Sequence, residues 1–209
     1  MSVRIHPSAI VESGVDIGAG TSIWDSTHIR GPARIGRDCI IGEKTYIAYG
    51  VSIGDRVKVN AFVYLCTGVT VEDGVMISAG AIFTNDRYPR AASPDLAKLR
   101  GSGPDEFTEE TVVRAGATIG ARAVIGPGLT IGRYAMIGMG AVVTSDVPDH
   151  HLVIGSPARA RAVVCRCGAP LLRLEEWAGA PRSVECVSCG DRYEWDGQAL
   201  TLAGELALQ

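Results

Sequence analysis

The sequence predicts an all-β chain: a parallel solenoid of short strands, interrupted once by a long loop, and then a small module built on four cysteines. Three observations predict it. A large apolar residue recurs at every sixth position, glycine and small residues recur in fixed phase beside it, and four of the six cysteines form two close pairs after the periodicity ends.

Composition sets the outer limits. With 209 residues, 46% hydrophobic and 21% charged, the chain can bury a core and suits one domain with an appendage. Twenty basic against 23 acidic residues give a net charge of -3, which argues against a nucleic-acid partner, since phosphate neutralisation calls for a basic surface. No apolar run approaches the ~18 residues of a membrane span, and residues 1–8 lack the apolar core of a signal peptide. The expectation is a soluble, cytoplasmic protein with no membrane span. There are 26 glycines, well above the usual share of ~7%, and only 6% aromatic residues, so the core must use small aliphatic units.

The repeat begins at Ile5 and continues through Val11, Ile17, Ile23, Ile29, Ile35, Ile41, Ile47, Ile53, Val59, Leu65, Val71 and Ile77 to Phe83. It resumes in phase at Val113, Ile119, Ile125, Ile131, Ile137 and Val143. At 46% apolar composition, so long a run arises by chance roughly once in five million. Two residues before the marker stands a small or β-branched residue, as in Ala9, Val15, Thr21, Thr27, Ala33, Cys39, Thr45 and Val51, and Gly18, Gly36, Gly42, Gly54, Gly120, Gly126, Gly132 and Gly138 directly follow it. One inward aliphatic and one turn per hexad describe a solenoid with a corner after each strand, where glycine is expected to supply positive φ. Each fully buried marker contributes roughly 1.5–3 kcal/mol, so the ladder sets the fold. The core is then a stack without a pocket, and function belongs on the outside, in the interruption, or between chains.

Over about residues 5 to 160, these [Ile/Val]-Gly-x4 hexads resemble the hexapeptide-repeat acyltransferases. The resemblance implies a left-handed parallel β-helix with three hexads per triangular coil, hence six to seven coils. It also implies a homotrimer with active sites between subunits.

The interruption, 84–112, is long enough to be functional in a compact fold, and its Arg87, Arg90, Lys98 and Arg100 suit an anionic ligand. Phe83-Thr84-Asn85-Asp86-Arg87-Tyr88-Pro89-Arg90 resembles the signature of nucleotide-linked 3-amino-sugar N-acetyltransferases, as do Ile23-Trp24 and His28-Ile29 upstream. Asp25 departs from that pattern, where many members carry histidine. The resemblance implies transfer of acetyl from acetyl-CoA to the amine of a UDP- or dTDP-linked 3-amino sugar, for cell-surface or secondary-metabolite glycan synthesis. Acyl transfer builds an oxyanion and needs a destination for the amine proton. Of the four histidines, His6, His150 and His151 lie far from the interruption in sequence, and His28 is the best placed. Asn85 is the catalytic candidate, because its amide can hold the amine without changing protonation state. The resemblance places this asparagine at the reacting centre and makes the departing coenzyme A thiolate the proton acceptor. It also makes His28, Asp86, Tyr88 and Arg90 substrate contacts.

Toward the end of the repeat, Gly155-Ser156-Pro157-Ala158-Arg159 resembles the family's closing Gly-x-Pro-Ala-[Arg/Lys] motif. By that resemblance Arg159 and Arg161 sit near the phosphates of coenzyme A, and Met139, Gly140 and Ala141 lie along its pantetheine arm.

Cys39 and Cys66 fall at packing positions of the repeat. Cys165 and Cys167, then Cys186 and Cys189, form two pairs at ribbon-like spacing, which points to one structural zinc held by four thiolates. Two disulfides are the alternative, disfavoured in a reducing cytosol. Residues 162–209 are too few for an unaided core, and four thiolates fill the shell of the metal. Leu171, Leu172, Leu174, Trp177, Tyr193 and Trp195 can form a ribbon core or dock on the last coil, as a cap or as a module that binds a partner. The expected division is thus a β-helix at 1–161 and a zinc-ribbon-like module at 162–209. Two other functions compete with the main one: a non-catalytic hexapeptide scaffold, and acyl transfer to another amine or hydroxyl. A γ-class carbonic anhydrase of the same fold is disfavoured because no histidine pair has the spacing its metal needs.

Overall fold

A computed structural model describes residues 2–176 and 181–203, and Trp177 lies outside them. The described residues contain no α-helix, only one short 3-10 turn at Leu174–Glu176. From Arg4 to Ile154 the chain is a parallel β-solenoid whose three faces repeat every eighteen residues: Arg4 pairs with Ser22, Ile23 with Ile41, Ile29 with Ile47 and Ile35 with Ile53. Each coil places one strand on each face, as in Ser22–Ile23, His28–Ile29 and Ala33–Ile35. The first face carries eight parallel rungs, ending with His151–Ile154, one beyond the reach of the twenty markers. The stack therefore comes to about eight turns where six to seven were expected, because Val153 extends the ladder outside the hexad phase.

Why these residues form this stack is visible along its axis. Every marker from Ile23 to Val143 is at most 2% exposed. Ile5 is exposed and Val11 and Ile17 are only half-buried, because no coil lies beneath the first. The small position two residues earlier admits threonine, since Thr21, Thr27 and Thr45 are buried with their hydroxyls donating to the carbonyls of Gly36, Gly42 and Asn60 at 2.7, 3.0 and 3.0 Å.

The glycines after the markers do not serve the purpose expected of them. They are absent from the positive-φ positions, which fall two residues later, at Gly50 (φ 75°) but equally at Asp38 (φ 56°) and Phe62 (φ 60°). What requires glycine after the marker is close approach between coils: a Cβ on Gly18 would sit 2.6 Å from the carbonyl carbon of Gly36.

The interruption leaves and rejoins the solenoid without disturbing it. Val71 pairs with Val113 and Phe83 with Ile125 across the gap, so the rungs on both sides stay in register. Beyond the last coil, Arg159–Val164 and Pro170–Arg173 add antiparallel strands to the first face. A separate antiparallel sheet of Arg182–Glu185, Arg192–Trp195 and Leu200–Leu202 then packs a second core around Val163, Leu172, Tyr193, Trp195 and Leu200. Tyr193 meets His150 edge-on at 5.5 Å, and His150 stacks on Tyr134 of the solenoid at 5.2 Å. The module therefore docks on the solenoid and covers its last rung, an edge that would otherwise be open to pairing.

Candidate active site on one edge of the solenoid

Asn85 sits at the corner that follows the strand Ile82–Phe83 of the second face. One coil below it is Thr67 and two coils below is Tyr49, in the eighteen-residue register of that corner. The Asn85 Nδ2 donates to the Thr67 carbonyl at 3.0 Å, and the Asn85 carbonyl accepts from the Glu109 N–H at 2.8 Å. The first of these bonds orients the amide with Oδ1 as its remaining acceptor. The second closes the neck of the excursion, so Asn85 is fixed from both sides.

The excursion is a built loop. Antiparallel bridges join Asp86 to Thr108 and Ala92 to Leu99. Arg100 staples it: one guanidinium nitrogen donates to the Tyr88 carbonyl at 3.0 Å, another pairs with Asp105 at 2.5 Å, and the group lies over the Phe107 ring. The Phe107 N–H and the Arg100 guanidinium hold the Asp105 carboxyl below the usual carboxylate range. Arg87 pairs with Glu109 at 2.7 Å. Two of the four basic residues expected to meet an anion are thus ion-paired within the loop.

Between loop and solenoid lies a cleft of about 460 Å³. Asn85, Asp86 and Thr67 stand at one end, Arg30 and Tyr49 at the other, with Tyr46, Tyr64 and Cys66 along the solenoid wall and residues 101–105 opposite. Tyr46 and Tyr64 stack at 5.2 Å with 8° between their planes. Burial pushes the Cys66 thiol up to about 11, so this wall residue is a protonated packing group at neutral pH.

The expected site residues divide. Asn85 and Asp86 line the cleft together. Tyr88 is exposed and packs edge-on against Phe107, and Arg90 is exposed with its guanidinium on the Pro89 carbonyl, so both face outward from the loop. His28 lies one rung below the wall residue Tyr46 on the same face, outside the cleft lining, its Nε2 2.9 Å from Glu12 Oε1 and its ring edge-on to Tyr46 at 5.5 Å. Glu12 also takes the Gly31 N–H and lies 3.3 Å from the Arg30 guanidinium. Hydrogen bonding from His28, then from Gly31, together with the Arg30 charge, keeps the Glu12 carboxyl below its ordinary range.

At the C-terminal end, Ser145 continues the corner of Asn85 two rungs further along, and there Arg159 lines a smaller cleft with Ser145 and Asp146. Arg161 is exposed two residues further along the same strand as Arg159. Met139, 83% exposed, and Gly140 (φ 67°) belong to the other edge of the second face, while Ala141 is buried. One chain therefore does not bring Met139 and Asn85 together. The unforeseen members of the cleft are Arg30, Tyr46, Tyr49, Tyr64 and Thr67. Their signal was an eighteen-residue spacing, one coil, linking Tyr49 to Thr67 to Asn85 and His28 to Tyr46 to Tyr64.

Away from this edge, the sulfur atoms of Cys165, Cys167, Cys186 and Cys189 lie within 4.8 Å of one another. Cys165 and Cys189 approach to 3.4 Å and Cys167 and Cys186 to 3.7 Å. The Tyr193 hydroxyl, 3.2 Å from the Cys165 sulfur, and the Arg166–Asp191 ion pair at 2.7 Å brace the cluster.

Comparisons with known proteins agree with this architecture. The profile of the family described as bacterial transferase hexapeptide (six repeats) matches residues 14–49, 50–85 and 110–145, leaving out the excursion. The dTDP-3-amino-3,6-dideoxy-alpha-D-galactopyranose 3-N-acetyltransferase of Aneurinibacillus thermoaerophilus is 39% identical over 92 residues, which are 44% of this chain and 44% of that enzyme. The chain thus spans less than half the length of the curated relative it matches. Two solved structures share the fold. LpxA, a UDP-N-acetylglucosamine acyltransferase from Bacteroides fragilis, is 16% identical with a TM-score of 0.62, covering 78% of this chain and 61% of that one. A variant of AntD, an N-acyltransferase from Bacillus cereus in complex with dTDP and coenzyme A, is 20% identical with a TM-score of 0.52, covering 79% and 85%.

Proposed function

The chain belongs to the bacterial transferase hexapeptide family, and from that premise we propose that it is an N-acetyltransferase that moves the acetyl group of acetyl-CoA to the amine of a nucleotide-linked 3-amino sugar. The observation that carries the proposal is Asn85, oriented by Thr67 and set beside Asp86 at the head of a polar cleft. The relative that acetylates a dTDP-linked 3-amino sugar supports the choice of acceptor.

In this reading the Asn85 Oδ1 accepts a hydrogen bond from the acceptor amine and aims its lone pair at the thioester carbonyl. The Asp86 carboxylate attracts the amine as it arrives as an ammonium ion, which loses one proton to solvent in the open cleft before it attacks as the neutral amine. The N–C bond forms, the C–S bond breaks, and the amine proton passes to the departing thiolate. No histidine lines the cleft, and the Cys66 thiol is held protonated, so the chain itself contributes positioning and leaves the proton to the leaving group. We place coenzyme A toward Ser145 and Arg159, on the far side of Asn85 from the cleft, with Arg161 nearby. The separation of Met139 and Gly140 from Asn85 within one chain favours a homotrimer in which the two edges meet across subunits.

The test is release of coenzyme A thiol from acetyl-CoA across a panel of UDP- and dTDP-linked amino sugars. The expected result is turnover with one 3-amino sugar that falls about a hundredfold in Asn85→Ala. Near wild-type turnover in that variant would remove Asn85 from the mechanism.

For Cys165, Cys167, Cys186 and Cys189 we propose one structural zinc ion. Their separations bracket the ~3.8 Å edge of a tetrahedral zinc–thiolate shell. Bound there, the ion supplies a crosslink with no open coordination position. Reduced thiols of this kind favour a cytosolic protein. Metal analysis of the purified protein is expected to return one zinc per chain.

A further inference from the structure

The cleft below Asn85 is unequal in charge along its length. At the Asn85 end stands the Asp86 carboxylate, one of whose oxygens is taken by the Tyr88 N–H at 2.8 Å. Midway, Arg100 and Asp105 neutralise each other. At the far end stands Arg30, which leaves the corner three rungs below Thr84 and whose guanidinium lies over the ring of Tyr49 at 5.4 Å; Tyr49 is itself two rungs below Asn85, or roughly 10 Å at the ordinary strand spacing. Glu12, one rung further down, lies 3.3 Å from the Arg30 Nε, and is itself held by His28 and the Gly31 N–H. Arg30 remains 42% exposed on its side chain and lines the cleft beside Tyr46, whose hydroxyl also engages the guanidinium.

A nucleotide-linked amino sugar has the complementary polarity: a cationic amine on the ring and, one hexose away, an anionic diphosphate. We propose that Arg30 is the residue that binds the diphosphate of the acceptor substrate and so makes the enzyme prefer nucleotide-linked amines over free ones. A planar guanidinium stacked on an aromatic ring and fixed by a carboxylate offers phosphate oxygens a fork of donors in a set orientation. Glu12 acts through Arg30 as a positioning residue. The inference rests on the acceptor proposed above, and it deepens that reading by naming what selects the nucleotide.

The experiment uses the full chain, with UDP, dTDP and inorganic pyrophosphate as probes and thermal shift as the first readout. A nucleoside diphosphate raises the Tm of the wild type, and Arg30→Gln loses most of that rise, with Kd weakened about tenfold or more. Arg30→Lys, which keeps the charge without the fork, falls between the two. In turnover, Arg30→Gln raises KM for the nucleotide-linked sugar about tenfold relative to KM for acetyl-CoA, so the preference over the nucleotide-free amine shrinks by the same factor. Glu12→Gln raises the same KM by a smaller factor and adds little when combined with Arg30→Gln, a coupling that a merely structural role does not produce. The proposal is overturned if Arg30→Gln binds UDP and dTDP as tightly as the wild type does, or if the wild type binds neither. If a nucleoside diphosphate binds through Arg30 while no amino sugar is acetylated, the Arg30 assignment stands and the proposed acceptor falls. The two failures are therefore distinguishable.

Discussion

Gly120 and Gly140 look alike in sequence but are constrained differently. A methyl on Gly120 would stand 2.5 Å from the Ile137 carbonyl oxygen, while one on Gly140 meets nothing within 4 Å and suffers only from its φ of 67°. Gly120→Ala must force two rungs apart and is expected to cost about 1–3 kcal/mol, whereas Gly140→Ala costs about 1–2 kcal/mol from backbone strain alone. Urea denaturation gives the cost of each variant, and amide hydrogen exchange separates the two mechanisms, because only Gly120→Ala also disturbs amide protection on the neighbouring rung. Cys66 makes a different point at this scale: it lines the cleft, yet burial keeps it a thiol. Alkylation of the native protein at pH 7.5 is therefore expected to spare Cys66. Rapid labelling there would contradict the packing role.

At the scale of the element, the excursion stands on Arg100, with few apolar contacts of its own. Arg100→Ala is expected to open 86–108 to limited proteolysis while the cooperative melt of the solenoid stays close to that of the wild type. The loop also carries its own pH response. Because Asp105 titrates lower in the folded loop than in an unfolded chain, its contribution is fully present above the ordinary carboxylate value of ~3.9 and disappears as pH falls through the lowered one. Proteolysis or amide exchange in the excursion should thus be steady from neutral pH down to about 4 and rise with further acidification, and Asp105→Asn should show the open behaviour already at pH 7.

For the molecule as a whole, each coil touches only its neighbours, so the ends matter more than in a globular domain. One end is the exposed first coil, and the other is covered by the four-cysteine module through Tyr193 and His150. If zinc crosslinks Cys165, next to the strand that extends the first face, to Cys186 and Cys189 of the separate sheet, a strong chelator should lower the Tm by several degrees. It should also expose the amides of His151–Ile154. An unchanged melt after verified metal removal would show that the apolar core around Tyr193 and Trp195 suffices to hold the cap.

Sequence alone determined the solenoid, because a marker that must be buried at every sixth residue leaves no other way to hide so regular a run of large apolar side chains. It also located the interruption, since a long insertion in a perfect repeat is visible without coordinates; Asn85 and Asp86 within it came from the resemblance of Phe83 to Arg90 to a family signature, and the four cysteines from their spacing. Only the tertiary structure decided that Tyr88 and Arg90 turn outward, because loop orientation follows from the Arg100 staple and the Asn85–Glu109 neck. It alone brought Arg30, Tyr49 and Thr67 under Asn85: neighbours in a stack are separated by a full coil of chain, and contact between them depends on the coil closing after three hexads. The hexad sets which side chains point inward, and the closed coil sets which outward-facing side chains share an edge.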